Sequence, residues 1–281
     1  MGSNILQIIK KYREEVLSYL KQTNNHYETA QLNLKIDNIE VKYHRWLHPW
    51  QGDWEIESLF NSNELKNTSK LIKPNSVVLD IGAQTGNMAV AYSLFAQKVI
   101  AFEPNPATFE VLEKNSKINP NIIPYNLACS TKEGDCEFHY SDEGLCNGGY
   151  ASILDKGVGV TRHILPLDVY TINIIDFIKK YHSEDFNNIG FIKIDAEGHD
   201  KDILPTLKEI TDINNPIIQT EIYDGLTPNE TDQLIKSIND LNYKAYDMDV
   251  CNNDIDNLQQ EIKSNKDINP GSGHNLICIP K

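Results

Sequence analysis

Arginine is scarce in this chain: Arg13, Arg45 and Arg162 are the only three in 281 residues. With 40 acidic against 26 basic side chains, the formal net charge is −14. A nucleic-acid partner calls for a basic face that releases counterions from phosphates, so this balance argues against one. No apolar run reaches the roughly 18 residues of a membrane span. The first residues also lack the apolar stretch of a signal peptide, since charge begins at Lys10 and recurs. The five cysteines, Cys129, Cys136, Cys146, Cys251 and Cys278, include no C-x-x-C pair, which speaks against a zinc knuckle or a disulfide framework. The expectation is a cytoplasmic protein in a reducing compartment.

What is present is a regular alternation of strands and helices from about Lys73 onward. Strand 76–81 leads to a helix over 87–96, strand 98–103 to a helix opened by Pro106, and strand 122–128 follows. Residues 135–171 read as irregular and β-rich. A helix over 173–181 precedes a strand over 191–195, a helix over 200–210 and a strand over 217–222. A helix over 229–241 then precedes two late strands, 243–249 and 274–279. Such alternation predicts a doubly wound parallel α/β sheet, closed by an antiparallel pair at one edge. Upstream, apolar residues fall on one face of an expected helix over 4–21. Leu34–Ile36 and Ile39–Tyr43 alternate around Asp37-Asn38 as a hairpin.

The segment Val77-Val78-Leu79-Asp80-Ile81-Gly82-Ala83-Gln84-Thr85-Gly86-Asn87 combines a buried strand, a sharp glycine turn and a helix start. The next strand ends in Glu103-Pro104-Asn105. An acidic residue at that tip can accept hydrogen bonds from the hydroxyls of a ribose. A dinucleotide fingerprint needs a glycine where Gln84 stands, and an Asp before the turn repels a pyrophosphate. That Asp suits an ammonium group. S-adenosylmethionine carries an ammonium, a sulfonium and a ribose but no phosphate, so the pattern reads as a methyl-donor pocket. Its expected residues are Asp80, Gly82, Ala83, Gly86, Asn87 and Glu103, with Asn126 near the adenine.

Taken together, VVLDIGAQTGN, AFEPNP, FIKIDAEGHD and the ending HNLICIP resemble the FkbM family of S-adenosylmethionine-dependent O-methyltransferases. The likeness spans residues 53–281, and Ile192–Gly198 is its most specific part. It implies a seven-stranded Rossmann-like methyltransferase domain over 53–281 with an antiparallel last strand. Residues 1–52 form an N-terminal helix and hairpin extension that the resemblance does not cover. It also implies a sugar or polyketide hydroxyl as acceptor.

An alcohol is a poor nucleophile until it loses its proton, so a base or a divalent metal must act on it. Asp195, Glu197 and His199 are the candidate catalytic groups, at the ligand-binding end of the sheet. In the usual strand order of this fold, strands four, five and seven are neighbours, about 4.8 Å apart. Asp195, Glu221 and His274 would then line up as a Mn²⁺ or Mg²⁺ site. Arg45, Trp46 and Arg162 are candidates for holding a nucleotide-sugar or glycan acceptor, by phosphate binding and ring stacking. The expected activity is therefore methyl transfer to a sugar hydroxyl in capsule, lipopolysaccharide or other surface-glycan assembly. A natural-product O-methyltransferase and a non-catalytic cofactor-binding or interaction module are the rival readings. Homo-oligomerisation is left open.

Overall fold

A computed structural model describes residues 28–47, 59–141, 148–150, 164–268 and 274–281. The expected helix over 4–21, together with Trp50, Trp54 and Arg162, lies outside the described residues. The chain opens with an antiparallel hairpin of β1 (Thr29–Ile36) and β2 (Ile39–Trp46). Asp37 takes the left-handed conformation at its turn, with φ +51°, which Asp tolerates better than most residues. Alternation along β2 buries Val41 and Tyr43.

Next come α1 (Ser62–Leu71), β3 (Val77–Ile81), α2 (Asn87–Ser93), β4 (Lys98–Phe102), α3 (Pro106–Ile118) and β5 (Ile122–Tyr125). All five side chains of β3 are buried, the pattern of a parallel strand covered on both faces. Asn105 caps α3 and Pro106 occupies its first turn, which suits a residue with no N–H to satisfy.

The expected strand over 122–128 is in fact two strands. It breaks at Asn126-Leu127, and β6 (Ala128–Ser130) joins a second sheet with β7 (Gly134–Ser141), β8 (Gly148–Tyr150) and β9 (Ile164–Asn173), in the order β6-β9-β7-β8. This sheet is the β-rich stretch anticipated between strand and helix. After it come α4 (Ile174–Tyr181), β10 (Ile189–Ile194), α5 (Asp200–Ile203) and α6 (Lys208–Asn214), then β11 (Ile217–Ile222) and α7 (Pro228–Asp240). The helix expected over 200–210 is broken because Pro205 imposes a 3₁₀ segment, Leu204–Leu207, between α5 and α6. The last strands are β12 (Tyr243–Asp247), β13 (Glu261–Ile262) and β14 (His274–Pro280).

The main sheet runs β13-β12-β14-β11-β10-β3-β4-β5. β14 is antiparallel to both β11 and β12 and lies between them. Two-residue β13 adds an eighth strand at the edge. One core packs α4, α7 and the 3₁₀ segment on one face. The other face holds α2, α3 and the hairpin.

The hairpin belongs to that second core. Asn115, fully buried in α3, accepts from the His44 N–H (2.6 Å) and donates to the carbonyls of His44 (3.2 Å) and Thr85 (2.9 Å). One amide thereby ties β2 to the turn after β3. Tyr43 also donates to Asn87 Oδ1.

Candidate active site

The carboxyl ends of β3, β4, β10 and β11 share one rim of the sheet. Three residues of the turn after β3 adopt positive φ: Gly82 (+76°), Gln84 (+50°) and Gly86 (+88°). The Gly82 and Ala83 N–H groups both donate to the Phe102 carbonyl, each at 2.9 Å, so the turn is sewn to the end of β4. A Cβ on Gly82 would sit 1.8 Å from the Asp195 carbonyl oxygen, and one on Gly86 2.7 Å from Leu112 Cδ1. Gly82 is therefore required by the protein's own packing, and Gly86 is favoured by its positive φ and by the Leu112 side chain beside it.

Glu103 is buried at the end of β4. Its Oε1 accepts from the Asn105 N–H (2.8 Å) and Thr108 Oγ1 (3.0 Å), and its Oε2 from the Gln84 N–H (2.8 Å). Burial pushes its carboxyl up to about 7 despite these bonds. A carboxylate offers about four acceptor positions, so one remains, on Oε2. That is room for one further hydrogen-bond donor.

Asp80 is fully buried, and neither carboxylate oxygen meets a hydrogen-bond donor among the described residues. Its nearest cation is Lys193 Nζ at 3.7 Å. Lys193 is also buried, donates to the Gly82 carbonyl at 2.9 Å and lies 3.2 Å from Asp195 Oδ2. Burial raises the Asp80 carboxyl, and Lys193 offsets only part of that rise. Lys193 escaped the sequence reading, although a lone lysine between Ile192 and Ile194 in a fully buried strand was a visible signal. It faces Asp80 across the β3–β10 pair.

Beyond β10 the chain turns sharply. Glu197 has φ +51° and Gly198 φ +90°, and positive φ is a strained state for Glu. Asp200, also missed, is buried and accepts from the Ala196 N–H (2.9 Å), Thr220 Oγ1 (2.8 Å) and the Glu221 N–H (3.0 Å). It fixes the tips of β10 and β11 side by side. Burial first, then the charges of Asp195 and Asp200, pushes the Glu197 carboxyl up. Glu221 is pushed up by burial, then by Asp195, Glu197 and Asp200, and its Oε2 meets no donor among the described residues. Asp195, Glu197 and Glu221 thus form a mutually repelling carboxyl group around one lysine.

The expected metal trio is not brought together. Glu221 stands opposite Asn275 in the β11–β14 ladder, and His274 opposite Ile222. Successive side chains alternate faces, so His274 points to the other side of the sheet from Glu221. There its Nδ1 lies 2.7 Å from Asp247 Oδ2.

Three further expectations meet other partners. Trp46 is 2% exposed, closed to stacking on a ligand. Asn87 Oδ1 accepts from Tyr43 and from Thr85 Oγ1. Asn126 Nδ2 donates to the carbonyls of Glu103 (2.8 Å) and Pro104 (2.9 Å), so it props the loop carrying Glu103. Arg45 is half-buried on β2.

A family model described as the Methyltransferase FkbM domain matches residues 80–245. Hexuronic acid methyltransferase AglP of Haloferax volcanii is 26% identical over 188 residues, covering 64% of this chain and 72% of its own. Among solved structures, methyltransferase FkbM from Methylobacillus flagellatus aligns over 80% of this chain and 53% of its own, at 12% identity and TM-score 0.43. TYW2 from M. jannaschii, solved in complex with AdoMet, aligns over 90% and 86%, at 13% identity and TM-score 0.42.

Proposed function

The chain belongs to the FkbM methyltransferase family, and from that premise we propose that it transfers the methyl group of S-adenosylmethionine to a sugar hydroxyl. The acceptor in this reading is a nucleotide-sugar or another precursor in surface-glycan assembly. Asp80 is the observation that carries the donor. Enclosed with Lys193 beneath the turn after β3, Asp80 and its neighbour Asp195 leave this end of the sheet negative, which favours the cationic sulfonium and ammonium of the donor and disfavours a phosphate. Glu103 then takes one ribose hydroxyl on Oε2. The donor occupies the ends of β3, β4 and β5, so the acceptor enters over β10 and β11, beside Asp195, Glu197 and Glu221. A relative named for hexuronic acid supports a sugar in that half.

In the transfer, the acceptor oxygen bonds to the methyl carbon while the carbon–sulfur pair returns to sulfur. Holding the two in line supplies much of the acceleration. The turn 195–199 takes the hydroxyl proton.

Calorimetry with S-adenosylhomocysteine tests the donor half. Ionised Glu103 accepts the ribose hydroxyl and protonated Glu103 does so poorly, so affinity is expected to tighten as pH rises through about 7. Glu103→Gln is expected to weaken binding about tenfold or more and to flatten that dependence. A variant that keeps both affinity and slope removes Glu103 from the ribose.

For the acceptor half, incubation with donor and a panel of nucleotide-sugars, UDP-glucuronate among them, is read by mass spectrometry. Gain of one methylene on a sugar is the expected result. Intact donor binding with no sugar modified would exclude the sugar acceptor and leave the methyltransferase assignment standing.

A further inference from the structure

Ser130, the last residue of β6, reaches from the second sheet to the turn after β10. Its Oγ lies 3.1 Å from His199 Nε2. The other ring nitrogen, Nδ1, lies 3.1 Å from Asp202 Oδ2, and Lys201 Nζ holds the same oxygen at 2.6 Å. Ser130 is buried and the His199 side chain nearly so, while Asp202 is 41% exposed. The bond to His199 and then the Lys201 contact hold the Asp202 carboxyl down at about 2. An ionised carboxylate only accepts, so the ring proton belongs on Nδ1 and the lone pair on Nε2. A base whose far nitrogen is fixed by a carboxylate is the arrangement that makes an imidazole an effective proton acceptor.

We propose that His199 is the general base of the methyl transfer, with Asp202 and Ser130 as positioning residues that fix its tautomer and the direction of Nε2. This rests on the hydroxyl acceptor proposed above. The other two groups of the turn are poorer bases. Asp195 is held by the Lys193 ammonium at 3.2 Å. Burial first, and then the charges of Asp195 and Asp200, favours the protonated form of Glu197. As the acceptor oxygen bonds to the methyl carbon and the carbon–sulfur pair goes to sulfur, the hydroxyl proton moves to Nε2. The resulting imidazolium is stabilised by Asp202 and returns its proton to water.

Two measurements decide it. Nitrogen-15 NMR of the histidines in protein saturated with S-adenosylhomocysteine needs no acceptor. It is expected to show the His199 proton on Nδ1, and a proton on Nε2 in the neutral ring would overturn the proposal. Kinetics with the sugar methylated in the panel supply the second. His199→Ala is expected to lower kcat about 10²–10⁴-fold with S-adenosylhomocysteine affinity kept, and added imidazole should restore part of the loss. Asp202 stabilises the imidazolium, so Asp202→Asn should move the acid limb of the kcat profile to lower pH. A tie that only holds the fold together would lower kcat without moving that limb and without imidazole rescue. Either result, or His199→Ala retaining most of the turnover, overturns the proposal. Should wild type methylate no sugar, the acceptor reading fails, while a neutral ring with its proton on Nε2 overturns this proposal whether or not a sugar is methylated.

Discussion

Gly82→Ala is expected to cost the protein about 4 kcal/mol or more, at the far end of single-substitution effects. Two independent penalties add. The residue has φ +76°, where any Cβ is strained. That Cβ would lie 1.8 Å from the Asp195 carbonyl oxygen, a backbone atom of β10's tip that cannot rotate away. Relief requires β3 and β10 to part at their ends, which also separates Asp80 from Lys193. Urea denaturation gives the stability, and calorimetry with S-adenosylhomocysteine gives the site. Gly86→Ala is the companion measurement: its Cβ meets the end of the Leu112 side chain at 2.7 Å, which can move, so its loss should be smaller, about 1–3 kcal/mol. A Gly82→Ala protein as stable as wild type would show that the crossing of turn and strand tip is looser than described.

Lys193→Met carries the second large effect. The substitution keeps most of the side-chain volume and removes the cation that, among the described residues, Asp80 and Asp195 share. Breaking a buried ion pair from one side costs about 3–5 kcal/mol, because the remaining charge is stranded. The pH dependence gives the cause away. Without Lys193 the folded-state pKa of Asp80 rises further above its unfolded value. Its contribution is then present at low pH and lost as pH rises through the raised pKa, so the deficit should be larger at pH 8 than at pH 5. Asp80→Asn in the same chain should recover part of the loss. A deficit that ignores both pH and the Asp80 partner would show that Lys193 acts through packing alone.

These two residues also mark how far the sequence can be read. Gly82 was singled out for a ligand's approach and not for its packing, because a sequence does not say that the Asp195 carbonyl lies where a Cβ would go. Lys193 was passed over because an isolated cation in an apolar run looks like noise until Asp80 is known to face it. The parallel strands β3, β4, β10 and β11 were legible because burial on both faces leaves continuous apolar runs. The break at Asn126-Leu127 was not, since a single polar residue in the otherwise apolar run Ile122–Ala128 does not mark a change of sheet. His274 was placed at the right rim but on the wrong face for Glu221, because a shift of one residue in strand register inverts every side chain. Its partner Asp247 sits 27 residues away in a strand whose pairing only the sheet order reveals.

The position of β14 has a consequence for how the molecule is made. It is synthesised after every other strand of the main sheet, yet it fills the gap between β11 and β12. Until a ribosome has released the residues from His274 onward, β11 and β12 each present a bare edge, and their native places lie two strand widths apart. A nascent chain can assemble β5 through β11 and then has to wait. During that interval the open edges are templates for intermolecular pairing, so this fold places its greatest demand on chaperones in the time before β14 emerges.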